Sequence, residues 1–295
     1  MTHDAMAPTS EQSRTVDPSR APLEFQQAPL HVQVSLAPEG PILDDFYRGY
    51  DEAFVLPNEK ETLSGFRECL AQNFDEARAR LTAQFGEFRE AVMVARDRTS
   101  GAMIGGANFI CFPLRDKHNN MPLISMNLNY IFIAPEQRGK GYLRKMLAAV
   151  RHAALLLLPT GATTPPPVLI FLEQNDPARM GADAYARDTT YSGLDQRTRN
   201  AIWLRLGART IGLPYVQPAL SPSQAPDRTL LYAVIGAHSP KLSACLLRDH
   251  LRCFFGISVL KGRPLDDDPE ARAQLAALGQ KCADGIPIDL FGSDL

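Results

Sequence analysis

PEQRGKGYLRKML, residues 135–147, packs two glycines and four basic residues into thirteen positions. An alternating apolar run, LISMNLNYIFIA (123–134), precedes it. After it Leu143, Met146, Leu147, Val150, Ala154 and Leu157 recur at helical spacing. The pattern predicts strand, glycine turn, helix from about 141 to 157. In general that order makes an anion site. The first-turn amides of a helix lack intrahelical acceptors and the helix dipole adds partial positive charge. Glycines at 139 and 141 let the backbone come close to a phosphate, and Arg138 and Lys140 raise the local potential. The same residues also fit an ordinary strand–helix turn with a solvated basic face. A P-loop fits poorly, because the turn lacks the Ser/Thr that binds magnesium. A dinucleotide fingerprint fits poorly too: Arg144 stands where a small residue is needed, after an antiparallel rather than a parallel unit.

Upstream, LHVQVSL (30–36) alternates like a strand and residues 42–86 read as mainly helical. EAVMVAR (90–96) and GAMIGGANFICF (101–112), separated by DRTSG, read as an antiparallel hairpin. In the next strand Ile124, Met126, Leu128, Tyr130 and Phe132 fall on one face, which places Tyr130 in the core; Ser125, Asn127 and Asn129 fall on the other. Downstream, a Pro/Thr-rich loop leads into the strand VLIFLEQN (168–175), a polar stretch (176–200), a helix ending near WLRLGAR and the strand TLLYAVIG (229–236). KLSACLLRDHLRCFFGISVL reads as a helix able to pack on the core or on a second protomer, so a homodimer is possible; the remainder reads as a polar helical tail. The expected division is a disordered tail at 1–21, a main domain at 22–240 and a C-terminal helical extension at 241–295.

Hydrophobic residues make up 45% and charged residues 22% of the 295, with a net charge of −2, as in soluble globular proteins. That balance gives no reason to expect nucleic acid or a membrane as partner. The five cysteines form no CxxC pair and are odd in number, which reads as free thiols in a reducing, cytoplasmic setting. The six histidines are scattered without metal-ligand spacing, so no metal is expected. The polar N-terminus shows no signal-peptide pattern.

PEQRGKGYLRKML resembles the acetyl-CoA-binding signature R/Q-x-x-G-x-G/A of the GCN5-related N-acetyltransferase (GNAT) superfamily. Arg138 takes the first position and Gly141 the central one; Leu143 departs from the final Gly/Ala. The order of elements from about 30 to 236 is similar as well, EQN (173–175) looks like the family's second motif, and AIWLRLGAR looks like its fourth helix. The resemblance implies an α/β (α+β) fold: a mixed, mostly antiparallel sheet with splayed central strands, flanked by helices. It implies acetyl-CoA as co-substrate, with pantetheine beside the backbone of Ile131, Phe132 and Ile133 and pyrophosphate on the amides of Arg138, Gly139, Lys140, Gly141, Tyr142 and Leu143. The implied reaction is direct attack of an amine on the thioester.

Glu173 ends an apolar strand and could take the amine proton; it also reads as a surface carboxylate. Asn175 could hold a water or the pantetheine amide, or form a turn before Asp-Pro. The family's proton donor is a Tyr four residues before a closing glycine, here Gly207, and Trp203 occupies that position; indole N–H is no usable acid. Tyr215 and Tyr130 are the replacements, with Tyr215 expected at the cleft. Asn127 and Asn129 inside a central strand point either to a wet cleft, where they would orient substrate, or to a solvent-facing side. The mixed charges of 176–200 suit a lid over a small polar, even zwitterionic, amine, or a plain surface excursion. A protein lysine or N-terminal acetyltransferase and a non-catalytic acyl-CoA-binding regulator are the alternatives.

Overall fold

The computed structural model describes residues 21–54, 60–116, 121–159, 163–221 and 224–292. The expected tail lies outside them except for Ala21. In chain order the described elements are β1 (Leu23–Gln27), β2 (Leu30–Ser35), α1 (Pro41–Ala53), α2 (Leu63–Ala71), α3 (Asp75–Phe85), β3 (Arg89–Asp97), β4 (Met103–Asp116) and β5 (Met121–Ile133). Then follow α4 (Tyr142–Leu157), β6 (Val168–Asn175), α5 (Ala182–Ser192), α6 (Gln196–Arg205), β7 (Ala208–Ile211), β8 (Leu230–Ile235), β9 (Lys241–Leu242), α7 (Ala244–Phe254), α8 (Pro269–Ala283) and β10 (Ile288–Phe291).

The strands form one ten-stranded sheet in the order β1-β2-β3-β4-β5-β6-β8-β7-β10-β9. Among the described pairings β5–β6 alone is parallel. The fold is thus the mixed, mostly antiparallel sheet with flanking helices that the sequence implied. Strand alternation sends one set of side chains to each face. On one face α4 buries Met146, Leu147, Ala149, Val150, Ala153 and Ala154 against residues such as Met93, Phe109, Met126 and Ile170. The other face carries two packed groups: α1 and α2 over Val92, Val94 and Phe132, and α7 with α8 over Ile110, Phe171 and Val234.

The C-terminal segment is more than helical. Ser243 caps α7 by accepting from the Leu246 amide, and Leu247, Leu251 and Phe254 on its stripe are buried within this chain. Each such side chain contributes roughly 1.5–3 kcal/mol. Lys241–Leu242, read as the start of that helix, is instead a short strand, and after α8 the chain returns as β10 between β7 and β9. The free-thiol reading is corrected as well: Cys245 of α7 and Cys282 of α8 form a disulfide, leaving buried Cys69, Cys111 and Cys253 free.

Two departures from regularity position the site. The β4–β5 register slips between Asn108↔Tyr130 and Phe109↔Leu128, so Asn129 is an extra, bulged residue. Ile124, Met126 and Leu128 face α4, but beyond the bulge Tyr130 and Phe132 pack with the α1 group on the opposite face. The single-face reading of this strand is therefore wrong from Tyr130 onward. The β5–β6 pairing also stops at Leu128↔Leu172. β5 stays with β4 to Ile133 and β6 stays with β8 to Asn175, so the sheet splits between them.

Candidate active site

A cavity of about 460 Å³ occupies the split. It passes through the sheet. On the α4 face its walls include Ile131, Ile133, Arg138, Gly139, Gly141, Tyr142, Leu143, Leu172, Ile202 and Trp203; on the other face they include Ala53, Phe54, Asn129, Tyr130, Phe132, Glu173, Asn175 and Gln217.

The glycine turn sits at the α4 end. Gly139 (φ 75°) and Gly141 (φ 76°) are both left-handed, a conformation that costs other residues about 1–2 kcal/mol. A Cβ on either would meet nothing within 4 Å, so the backbone, not space, requires glycine here. Gly141 is the N-cap of α4 and gives no side-chain cap, which leaves the first-turn amides for an anion. Arg138 donates from Nε to the Ile133 carbonyl (3.2 Å) and from Nη1 to the Ser192 carbonyl (3.0 Å), tying the turn to β5 and α5. Lys140, bonded to Gln137 Oε1 at 3.1 Å, is exposed and is not among the cavity walls. Past Leu128 the β5 edge that faced β6 has no strand partner among the described residues, and Ile131, Phe132 and Ile133 line the cavity there.

Glu173 reaches the cavity from β6, the strand after which α5 and α6 begin. Tyr215 Oη donates a short hydrogen bond to Glu173 Oε1; among the described residues Oε2 has no partner. Burial pushes the Glu173 carboxyl up to about 7, with Asp227 adding to the rise and the Tyr215 hydrogen bond opposing it. The carboxyl is therefore near half-ionised at neutral pH, the condition for an effective general base. Tyr215 itself does not line the cavity. It is 2% exposed, stacks on Tyr232 with ring centroids 4.4 Å apart, and burial drives its phenol well above the ordinary value. It is thus not the cleft-lining residue expected; its hydroxyl is engaged by Glu173. Tyr130, expected in the core, lines the cavity instead, because the bulge turned it around. Asn175 lines the cavity and its carbonyl accepts from Asn200 Nδ2 at 3.2 Å. Trp203, at the position expected for the acid, is a cavity wall.

The asparagines divide. Asn127 is fully buried and has no access to a substrate, so neither of its expected settings holds. The Tyr232 hydroxyl donates to Asn127 Oδ1 at 2.6 Å and therefore accepts from His250 Nε2–H at 2.6 Å. That tautomer leaves Nδ1 to accept from the Ser125 hydroxyl at 2.8 Å, and burial holds His250 well below its ordinary pKa, hence neutral. Asn127 Nδ2 donates to Asn129 Oδ1 (2.8 Å), and Asn129 Nδ2 donates to Asn108 Oδ1 (2.9 Å) and Ser258 Oγ (3.0 Å). Ser258 and Asn108 in turn donate to Glu90 at 2.8 Å each. Every amide is satisfied internally, which is how polar residues persist in this sheet. Asn129 alone of the pair also borders the cavity.

The polar stretch 176–200 forms α5 and the start of α6. Some of its charges pair with each other, Arg199 with Asp188 and Arg179 with Asp176, while Asp195 caps α6. Asp188, Ser192, Leu194, Gln196 and Arg199 close the cavity near the glycine turn. Phe54 and Gln217 were not anticipated. They come from the end of α1 and from the loop before β8, and no local pattern marks either as facing β6.

No protein-family model matches the chain, and no curated protein matches it. Solved structures similar to it include a ribosomal-protein-S5-alanine acetyltransferase from Vibrio fischeri (12% identity, 73% of this chain and 98% of that one, TM-score 0.35). An aminoglycoside acetyltransferase from an uncultured soil metagenomic sample, in complex with sisomicin, shares 18% identity over 56% of this chain and 87% of that one (TM-score 0.31). An acetyltransferase of the GNAT family from Listeria monocytogenes shares 12% over 73% and 100% (TM-score 0.29). These neighbours are acetyltransferases; at such TM-scores the likeness adds nothing to the geometry above.

Proposed function

We propose that the protein is an acyl-CoA-dependent N-acyltransferase that moves acetyl from acetyl-CoA to a primary amine of a small molecule, in a ternary complex and without a metal. One observation carries the reading: a single cleft runs through the split sheet from an uncapped, basic glycine turn on one face to a desolvated carboxylate, Glu173, on the other. The amides at the start of α4 fit a pyrophosphate, and the unpaired edge of Ile131 to Ile133 fits an extended pantetheine arm by strand addition. Acetyl-CoA supplies the activated thioester. Glu173 takes the proton from the incoming ammonium, with Tyr215 fixing the orientation of its carboxylate. Tyr130 stands at the split and is the proton source for the departing thiolate; Trp203 walls the channel. Glu173 and Asn129 bracket the acceptor.

The expected zwitterionic acceptor rested on the charges of 176–200; of these, the two that line the cavity, Asp188 and Arg199, are paired with each other near the glycine turn. A protein acceptor would need an open groove, whereas Phe54 and Gln217 bound the acceptor end. The cytoplasm, where acetyl-CoA is held, is the proposed compartment; no helix among the described residues is long and apolar enough to cross a membrane. The test is thiol release from acetyl-CoA with a panel of primary amines. Amine-dependent release supports the reading, and binding of acetyl-CoA with no release for any amine or peptide favours the non-catalytic regulator.

A further inference from the structure

The acceptor end of the cleft has a composition of its own. Phe54 and Tyr130 form an aromatic wall, with ring centroids 5.2 Å apart and planes at 77°. Tyr50 locks that wall from behind, its ring 5.0 Å from Phe54 and 4.8 Å from Tyr130. Ala53 leaves room beside it. Opposite stands Glu173, one oxygen held by Tyr215. Asn129 and Gln217 are the neutral polar groups nearby. Among the described residues, the basic side chains that line the cavity are Arg138 and Arg199. Both belong to the other end, where Arg138 is bonded to two backbone carbonyls and Arg199 to Asp188.

We infer that the acceptor is a monocationic amine carried on an aromatic or otherwise apolar body, with no carboxylate beside the amine: an arylalkylamine type rather than an amino acid, a sugar or a peptide. One carboxylate facing aromatic rings is the chemistry of cation recognition, with the ammonium drawn to the carboxylate and to the ring faces. The wall buries an apolar body, which a purely polar acceptor cannot repay. An α-carboxylate would meet no cation among the described residues of that end and would lie near Glu173, so like charges would oppose its entry. A wall locked by Tyr50 spends little entropy on binding, which favours a flat, rigid body over a flexible chain.

This inference rests on the proposed amine-acetylating reading, and two readouts on the full chain separate them. Phenethylamine, phenylalanine and ethylamine are compared by thiol release from acetyl-CoA and by calorimetric titration with and without CoA. Expected is a kcat/KM for phenethylamine at least tenfold above both others, with the same order of affinity. Phe54→Ala should raise the KM for phenethylamine about tenfold and that for ethylamine less, with the thermal midpoint showing that the variant is folded. Selective binding of phenethylamine without thiol release would support the acceptor class while refuting the transfer reading. Thiol release with phenylalanine, ethylamine or a lysine peptide equal to or above phenethylamine would overturn the acceptor class while leaving transfer intact. Neither binding nor release for phenethylamine, phenylalanine, ethylamine or a lysine peptide would overturn both. Should Phe54→Ala fail to fold, the three-amine comparison on the unaltered protein still decides.

Discussion

Replacing Tyr215 with Phe removes one hydroxyl, and with it the hydrogen bond to Glu173 Oε1. The ring and its stack on Tyr232 remain. That bond opposes the effect of burial, and with it in place the Glu173 carboxyl is pushed up to about 7. A hydrogen bond to a charged acceptor contributes about 1.5–3 kcal/mol, and one pKa unit corresponds to about 1.4 kcal/mol. The acid limb of the pH–rate profile should therefore move upward by about 1–2 units in Tyr215→Phe. At pH 7 the ionised fraction falls from about half to between about 1 and 10 per cent, so kcat/KM falls roughly 5- to 50-fold. The loss should shrink as pH rises and be nearly gone by about pH 10, where the carboxyl is about 90 per cent or more ionised in both proteins. Amine-dependent thiol release from pH 5.5 to 10 measures it. A pH-independent loss would mean that Tyr215 itself touches the reacting atoms. An unmoved limb would mean that Glu173 is not the titrating base.

The other expectations are more compact. Glu90 is buried, with its carboxyl raised from 4.5 to about 7 by desolvation, so the folded state binds the extra proton between those values. Stability should fall as pH rises through that window, by up to about 3 kcal/mol from this group. Denaturant melts of Glu90→Gln should show about half the wild-type decline, the rest coming from Glu173; an unchanged slope would sink the assignment. Tyr130→Phe should lower kcat roughly tenfold to a few hundredfold, the lower part of the usual acid contribution, because a thiolate leaves readily; wild-type turnover would hand the proton to water. The Cys245–Cys282 bond spans a separation of 37 residues, and a loop of that length contributes about 3–4 kcal/mol. A reductant should lower the melting temperature of the wild type and not that of Cys245→Ser, and coincident melts would show the thiols unbonded in solution.

Long periodic segments were legible in the sequence. β6 runs over the residues its apolar run predicted, and α4 and the β3–β4 hairpin follow their 3.6- and 2-residue periods. The glycine turn was legible because strand, turn and helix all pointed the same way. What failed was whatever depended on one residue or on distant chain. A single inserted residue at Asn129 reverses the strand's facing and carries Tyr130 from expected core to cleft, and alternation alone cannot show that. Tyr215 was expected at the cleft; its partners, Glu173 and Tyr232, are fixed by sheet order. The four-residue strands β7 and β10 are too short to display a period. Asn127 looked like a wet or exposed position, and only the three-dimensional partners His250, Tyr232 and Ser258, remote in sequence, satisfy its network.

The claim on which the rest depends is that the turn at 138–143 holds the pyrophosphate of acetyl-CoA. Calorimetric titration of acetyl-CoA into wild type, Gly141→Ala and Gly141→Glu tests it most directly. Both substitutions face open space and share the strain of a left-handed N-cap, about 1–2 kcal/mol, so matched melting curves isolate the effect of charge. The account predicts binding to the wild type, weakened binding to Gly141→Ala and none to Gly141→Glu while it stays folded. Equal affinity for wild type and Gly141→Glu would contradict it.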